Sequence, residues 1–515
     1  MMDSVVGTQV VWFRNDLRVS DHAPLFNACR RAATSGDAVL PVFIVDPQWF
    51  GETSYGFPRV SSERARFLYE SLVDLDRHLS KLGGGIRLFF GDTVDVLSEI
   101  CEEVSEPTVS FHQEVSTEEK RVERRLRKQF AKFGIPSRVY SPATMCDWDE
   151  TPFSLSDTPE VFTKFRRLVE KRGVFSPPLP PPSSFAPHGV KLAEERTLPE
   201  VKQFSIFEDT GVAEDVSPSS RRSHFFRGGI DAGEARLKHY LWDTDALSRY
   251  KETRNGMLAL DDSSKLSAWL ALGCVSAKRV MHEVELYEAE RVKNDSTYWL
   301  KFELLWRDFF IFMSAKHGSH LFRSGGLQNK PIEWIDDRIL FEAWCEGKTG
   351  YPLVDANMRE LRETGYMSNR GRQNVASFLT KNLGMDWRLG AEWFESQLID
   401  HDPSLNYGNW NYAAGIGNDA REFRWFNINK QASIYDPEGD YVRHWLPELN
   451  QVPSQWIHQP WRMTESAEQL SQCTIGVDYP APIVDLFQSA EENRKRHDAA
   501  LNPGRKHSSQ QLLDF

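Results

Sequence analysis

Between Gln9 and Tyr140 short apolar runs alternate with helical patterns, and no other feature of the chain limits its fold so tightly. The runs are Val10-Val11-Trp12-Phe13, Val39 to Val45, Ile86 to Phe90, Val109-Ser110-Phe111 and Arg138-Val139-Tyr140. Helical spacing fills the gaps over His22–Thr34, Ser61–Leu82, Thr93–Val104 and Thr117–Phe133. That rhythm predicts βαβ units and a parallel sheet. The turn after the first run, Arg14-Asn15-Asp16-Leu17-Arg18, has no GxGxxG, so a dinucleotide-binding Rossmann site loses its main support.

Beyond Tyr140 the pattern changes. Ser176-Pro177-Pro178-Leu179-Pro180-Pro181-Pro182 reads as an extended connector, followed to about Arg222 by an acidic, Ser-rich stretch. The chain then reads as helical and poor in strand signals to about residue 487. The expected fold class is α/β plus all-α. Its parts are an N-terminal parallel-sheet, Rossmann-like domain over 1–150, a long linker over 151–222, an all-helical domain over 223–487 and a flexible tail over 488–515. Of 16 tryptophans, 13 lie from Trp242 onward, so the two halves differ in kind.

A formal charge of −12 over 515 residues argues against coating nucleic acid through bulk charge and leaves room for a local basic patch. Six scattered cysteines without a CxxC pair argue against a disulfide framework or zinc site and fit a reducing compartment. No apolar run is long enough to cross a bilayer, and about eight residues before the first strand are too few for a signal or transit peptide. The expectation is a soluble intracellular protein of cytoplasm or nucleus.

Two motifs mislead. Gly347-Lys348-Thr349 resembles the end of a P-loop, but the required upstream glycine is Glu342 and the preceding run is helical. His317 and His320 have metal-compatible spacing without a third ligand nearby, so no metal is expected. Other segments carry a stronger signal. Asp261-Asp262-Ser263-Ser264-Lys265-Leu266-Ser267 before an apolar run reads as a helix cap, or as a phosphate seat using the same N–H groups. Glu303 and Trp306 share one helix face, and a buried Glu there would have a raised pKa. Asn369-Arg370-Gly371-Arg372-Gln373-Asn374 opens a helix in a locally basic segment, either a phosphate contact or a solvated face. Asp400, Asp402, Asn406, Trp410 and Tyr412 form the densest polar cluster near aromatics.

These motifs closely resemble the photolyase/cryptochrome family from Tyr250 to about Val484, and the N-terminal domain fits that family's antenna domain. The runs from Gly408 to Asp419 and from Glu346 to Pro352 carry the likeness most specifically, and further features are similar to DASH-type cryptochromes. The resemblance implies FAD in the helical domain. Diphosphate contacts fall on Tyr250, Ser263, Ser264, Leu266 and Ser267. Arg372, Asp400, Asp402 and Asn406 fall around the isoalloxazine, with Arg372 and Asp400 an ion pair and Asn406 facing N5. An amide at 406 cannot ionise, whereas photosensory plant cryptochromes carry Asp there. Trp410, Trp387 and Trp334 match the electron relay from the flavin outward.

On the substrate side, the resemblance places Glu303, Trp306, Asn369 and Arg370 against a cyclobutane pyrimidine dimer flipped from its strand. Gln373 and Tyr412 line that wall, and Arg254 matches a phosphate contact. Duplex-acting members carry Met and Trp where this chain has Gln373 and Tyr412, which fits a preference for single strands. The implied activity is light-driven dimer repair by photoexcited FADH⁻, a deoxyribodipyrimidine photo-lyase reaction. The alternative is a blue-light photoreceptor signalling through partner proteins. Implied partners are DNA, foremost single-stranded DNA with dimers, and RNA as a further polymer, for a monomer without membrane contact. The implied antenna is 5,10-methenyltetrahydrofolate near Glu114 or Glu118.

Overall fold

The computed structural model describes residues 6–173, 175–198, 200, 226–418 and 423–501. Positions 201–222 of the linker, Asp419 of the motif and 502–515 of the tail lie outside them. The N-terminal alternation forms a five-stranded parallel sheet of order β3-β2-β1-β4-β5. Its strands are β1 (Thr8–Phe13), β2 (Ala38–Val45), β3 (Arg87–Phe90), β4 (Pro107–His112) and β5 (Ser137–Tyr140). The crossover helices are α1 (Ala23–Ser35), α2 (Ser62–Leu82), α3 (Thr93–Glu103) and α4 (Thr117–Phe133). Register follows the apolar runs: Val10 lies opposite Leu40 on β2 and Val109 on β4. Those side chains enter one core with Trp12, Ile44, Leu97, Phe111 and Leu126.

The chain reverses its direction of winding between β1 and β4. In such sheets the crevice outside the strands' carboxyl ends is where ligands bind. The turn after β1 is filled by the protein itself. Asp16 accepts from the Arg14 backbone N–H (2.7 Å), its Oδ2 lies 2.7 Å from His112 Nδ1, and the same oxygen lies 3.0 Å from His22 Nε2. His22 Nδ1 accepts from the Leu25 N–H (3.0 Å) as the cap of α1, so its proton sits on Nε2 and that nitrogen offers no lone pair to a metal. Asp16 is held well below the usual carboxylate range by the two histidines, against the effect of burial.

After β5 no strand follows among the described residues. A helix, α5 (Phe162–Arg172), lies within the stretch assigned to the linker from composition. Farther on, that stretch is tied to the sheet: Val39 N–H donates to Ala186 O and Arg196 N–H to Leu88 O, each at 2.8 Å. The later helices used below are α6 (Ile230–Lys238), α7 (Ser267–Ala271), α8 (Ala277–Glu290), α9 (Asp295–His317), α10 (Arg338–Glu346), α11 (Pro352–Thr364), α12 (Asn369–Ser377), α13 (Trp387–Gln397), α14 (Pro403–Ala414) and α15 (Leu486–Leu501).

The described residues group into two compact units. One takes in Met1–Lys251, Ser264–Gly318 and Ile399–Ser404, and the other Glu252–Ser263, Ser319–Leu398 and Leu405–Phe515. In the first unit buried Asp308 of α9 accepts from the Met145 and Cys146 N–H groups (3.1 and 2.9 Å), fixing the chain after β5 onto that helix. In the second, the Gly347-Lys348-Thr349 turn follows α10 and serves a structural carboxylate. Thr349 donates through N–H and Oγ1 to Asp355 Oδ1 (2.7 and 2.6 Å), so the turn's donors are already used within the protein. All six cysteines are unpaired and buried. No helix among the described residues is long and apolar enough to cross a membrane.

Candidate functional site

The serine segment departs from the simple cap expected of it. Helix α7 is five residues long, its N-cap is Leu266, and no side chain caps it. The serine-cap reading is therefore corrected: the backbone, not a hydroxyl, shapes this turn. Lys265 is left-handed (φ +52°) and Leu266 is right-handed (φ −76°, ψ −6°). Opposite-handed neighbours aim consecutive N–H groups at one point and make an anion-binding concavity. Arg236 of α6 donates from Nε to Ser264 O at 2.9 Å, and its guanidinium lies 5.2 Å over the Tyr240 ring. Tyr240 meets Tyr250 edge-on at 6.3 Å, and Tyr250 is buried. Seat, arginine and tyrosine thus occupy one region of the first unit.

Glu303 and Trp306 are both half-buried, whereas Leu304, Leu305, Asp308 and Phe309 point into the core. The deep burial that would have made Glu303 an unusual acid is therefore not found. The two residues share a half-buried face of α9. Behind Trp306 lies Phe162 of α5, with ring centroids 3.7 Å apart and planes within 13°. One indole face is thereby fixed on a protein ring.

At the sheet's switch point Glu114 and Glu118 have different fates. Glu118 forms a two-pronged ion pair with Arg59 (2.8 and 2.9 Å). Half-buried Glu114 receives one long bond from Asn15 Nδ2 (3.3 Å), and its N–H donates to Glu123 Oε1 (2.7 Å). Burial, reinforced by the charges of Glu119, Asp402 and Glu123 and partly offset by Arg14, pushes Glu114 up to about 8. The shift favours the protonated form of this carboxyl. Also in this unit, Asp400 is buried, Asp402 Oδ1 accepts from the Ser404 N–H (2.8 Å) at the start of α14, and His401 is pushed well below its ordinary pKa by burial and by Arg64 and Arg59.

In the second unit Asn406 is buried on α14 and donates from Nδ2 to Ala391 O at 2.8 Å. That bond orients the amide and leaves Oδ1 as its acceptor. Arg372 donates from Nε to Met367 O (2.9 Å) and lies 5.5 Å over the Tyr366 ring. Trp410 and Trp387 are both buried, and of the three tryptophans Trp334 alone is half-buried. Gly390 makes room for this packing: a Cβ there would lie 2.2 Å from Trp410 Cη2. One turn before Trp410, Tyr407 packs edge-on against Trp387 at 6.1 Å.

The same unit gathers the basic groups. Arg370 donates to Asn255 Oδ1 (2.9 Å) and stacks 4.6 Å over Tyr435. Burial and the charges of Arg254 and Arg424 lower its pKa, so three guanidinium groups share one neighbourhood. Arg424 lies 5.9 Å over Tyr412. Asn369 is exposed at the start of α12, whose cap is Ser368, and Gln373 is half-buried one turn on.

Comparison with known proteins bears directly on this arrangement. The "FAD binding domain of DNA photolyase" model matches residues 299–499 and the "DNA photolyase" model residues 9–183. Cryptochrome DASH of Synechocystis is 49% identical over 496 residues, covering 96% of this chain and 98% of that protein. The chain belongs to the photolyase/cryptochrome family, among its DASH-type members. Cryptochrome DASH of Gloeobacter violaceus is 48% identical over 96% of both chains. A crystal structure of a Synechocystis cryptochrome superposes with TM-score 0.90 at 49% identity, covering 96% of this chain and 100% of that one. A class III photolyase from Agrobacterium tumefaciens superposes at 0.84 with 29% identity, covering 97% and 99%.

Membership in this DASH-type group makes FAD the cofactor to test against the residues present. They fit it: the concavity at Lys265–Ser267 offers N–H donors for a diphosphate, and Asn406 holds an acceptor in fixed orientation. Several contributors escaped the sequence reading. Lys265 announces itself only through its backbone angle, Phe162 sits in a stretch assigned to a linker, and Arg424 is isolated in sequence from Arg254 and Arg370. The one available signal was Gly390, a glycine inside a helix three residues after Trp387.

Proposed function

We propose that this chain is a light-dependent lyase that splits cyclobutane pyrimidine dimers, in single-stranded DNA in preference to duplex. The observation that carries the reading is the pair Glu303 and Trp306, together on one half-buried face of α9 with Phe162 stacked against the indole. When bound and reduced, FAD supplies an electron on absorbing blue or near-UV light. The chain's residues do the rest. Trp306 stacks on a flipped dimer, and Glu303 hydrogen-bonds a pyrimidine carbonyl and steadies the charge that arrives there. The Lys265–Ser267 concavity, with Tyr250, Ser263, Ser264 and Leu266, seats the diphosphate. The family likeness assigns Arg372, Asp400, Asp402 and Asn406 to the reactive ring, and the Asn406 amide holds its hydrogen bond without titrating.

Arg254, Arg370 and Arg424 form the basic patch that an acidic protein needs to hold a DNA backbone, with Asn369 at its edge. Gln373 and Tyr412 support the single-strand preference: a smaller, more polar wall recovers less energy from the lesion, and extraction from intact duplex costs several stacking and pairing interactions. Trp410, Trp387 and Trp334 carry electrons inward to an oxidised flavin. Glu114, rather than the Arg59-paired Glu118, is the antenna contact, because a protonated carboxyl can donate to the ring system of 5,10-methenyltetrahydrofolate.

Repair by the Glu303→Gln and Trp306→Ala variants tests the site. The Gln variant keeps lesion binding and splits dimers more slowly. The Ala variant loses affinity by roughly tenfold, about the worth of one stacked base. Full repair by both variants overturns the assignment, and light-dependent flavin chemistry without any dimer loss by the parent protein favours the photoreceptor alternative.

A further inference from the structure

The indole N–H groups of Trp387 and Trp334 converge on a single acceptor. Trp387 Nε1 donates to the Ser324 carbonyl at 3.0 Å and Trp334 Nε1 to the same oxygen at 3.3 Å. The two nitrogens are therefore within about 6 Å of each other across one oxygen. Ser324 lies in an irregular loop, and its position depends on how that loop is held. Asn411 holds it. This fully buried amide donates from Nδ2 to Leu321 O (2.9 Å) and accepts at Oδ1 from the Leu327 N–H (3.0 Å), clasping the loop on both sides of Ser324. A second bond from Nδ2 to Tyr407 O (2.8 Å) keeps the amide on α14, beside Trp410. The approach is close: Gly326 is left-handed (φ +60°), and a Cβ on it would lie 2.3 Å from Asn411 Oδ1.

We propose that Asn411 is the positioning residue of the outer electron-transfer step, fixing the Ser324 carbonyl that registers Trp334 against Trp387. This rests on the tryptophan relay of the proposed function. In the step, one electron passes from the Trp334 indole to oxidised Trp387. Trp387 is restored, Trp334 is left one electron short, and neither N–H proton moves. With oxidised flavin bound, light would draw an electron from Trp410, Trp387 would refill Trp410, and a dissolved thiol would finally re-reduce Trp334. The shared oxygen holds two rings at fixed separation and orientation, and small displacements in such arrangements cost large factors in rate.

The test compares full-length, flavin-loaded Trp334→Phe, Asn411→Leu and Asn411→Asp with the parent. In the dark, ¹⁵N-indole NMR follows the Trp334 and Trp387 Nε1–H signals. After a flash, transient absorption follows the long-lived tryptophan radical. Asn411→Leu is expected to shift both signals, speed their exchange and lower the radical yield by roughly tenfold. Asn411→Asp keeps the acceptor for Leu327, gives an intermediate effect, and replaces the Leu variant if that one does not fold. A parent-like radical in Trp334→Phe would overturn the relay itself. Loss of the radical in Trp334→Phe together with parent-like signals and yield in the folded Asn411 variant would overturn the role of Asn411 and leave the relay standing.

Discussion

Trp306 shows how far one side chain's role depends on its neighbour. With the Phe162 ring at 3.7 Å and nearly parallel, one face of the indole is taken by protein and the ring is held in one orientation. A stacked aromatic pair contributes about 0.5–1.5 kcal/mol beyond the area it buries. Phe162→Ala is therefore expected to weaken dark binding of a dimer-bearing single strand by up to roughly tenfold. A fluorescence titration reads this, and flavin content should stay at the parent level. Unchanged lesion affinity would mean that Trp306 needs no platform. Sequence reading found Trp306 through its spacing from Glu303, whereas Phe162 was hidden because proline-rich composition nearby coloured the whole of 151–222. The serine segment failed for a related reason. A cap is a side-chain signal that sequence displays, and the left-handed turn at Lys265 is a backbone property that it does not.

At the level of elements, α14 and α15 meet at a buried lysine. Lys381 is fully buried; its Nζ donates to Ala414 O at the end of α14 (2.6 Å) and lies 4.8 Å over Phe423. Asn493 of α15 donates to the Lys381 carbonyl at 3.2 Å. Burial, with help from Lys330, pushes Lys381 down to about 7. Between pH 7 and the ordinary lysine value the unfolded chain holds a proton that the folded chain has released. Its contribution to stability therefore rises with pH across that window and is least favourable below it. Lys381→Met is expected to flatten this slope by roughly 1 kcal/mol per pH unit, measured by denaturant unfolding at pH 7 and 9. A slope identical to the parent's would show that Lys381 stays charged. The strands and helices of the sheet domain were legible because each apolar run is bounded by turns and each helix carries its own period. Asn411 was not: its partners Leu321 and Leu327 lie some 90 residues away, and nothing local to Asn411 marks the contact.

For the molecule as a whole, the formal charge of −12 and the clustering of Arg254, Arg370 and Arg424 are complementary facts. An acidic surface disfavours indiscriminate binding to nucleic acid, and one basic neighbourhood is enough to hold the backbone around a single flipped lesion. The excess of tryptophan after residue 242 likewise divides. The proposed function gives Trp306, Trp334, Trp387 and Trp410 roles in stacking or electron transfer, while Trp344 and Trp269 are buried core. The central claim is that light and this lesion site together split dimers where a strand is already open. Chemically reduced protein should be illuminated with equal amounts of one dimer-bearing oligonucleotide, single-stranded in one sample and annealed in the other, and the remaining dimer counted by chromatography. The account predicts rapid loss in the single strand, little in the duplex and none in the dark. Persistence of the single-stranded dimer under saturating light would contradict it.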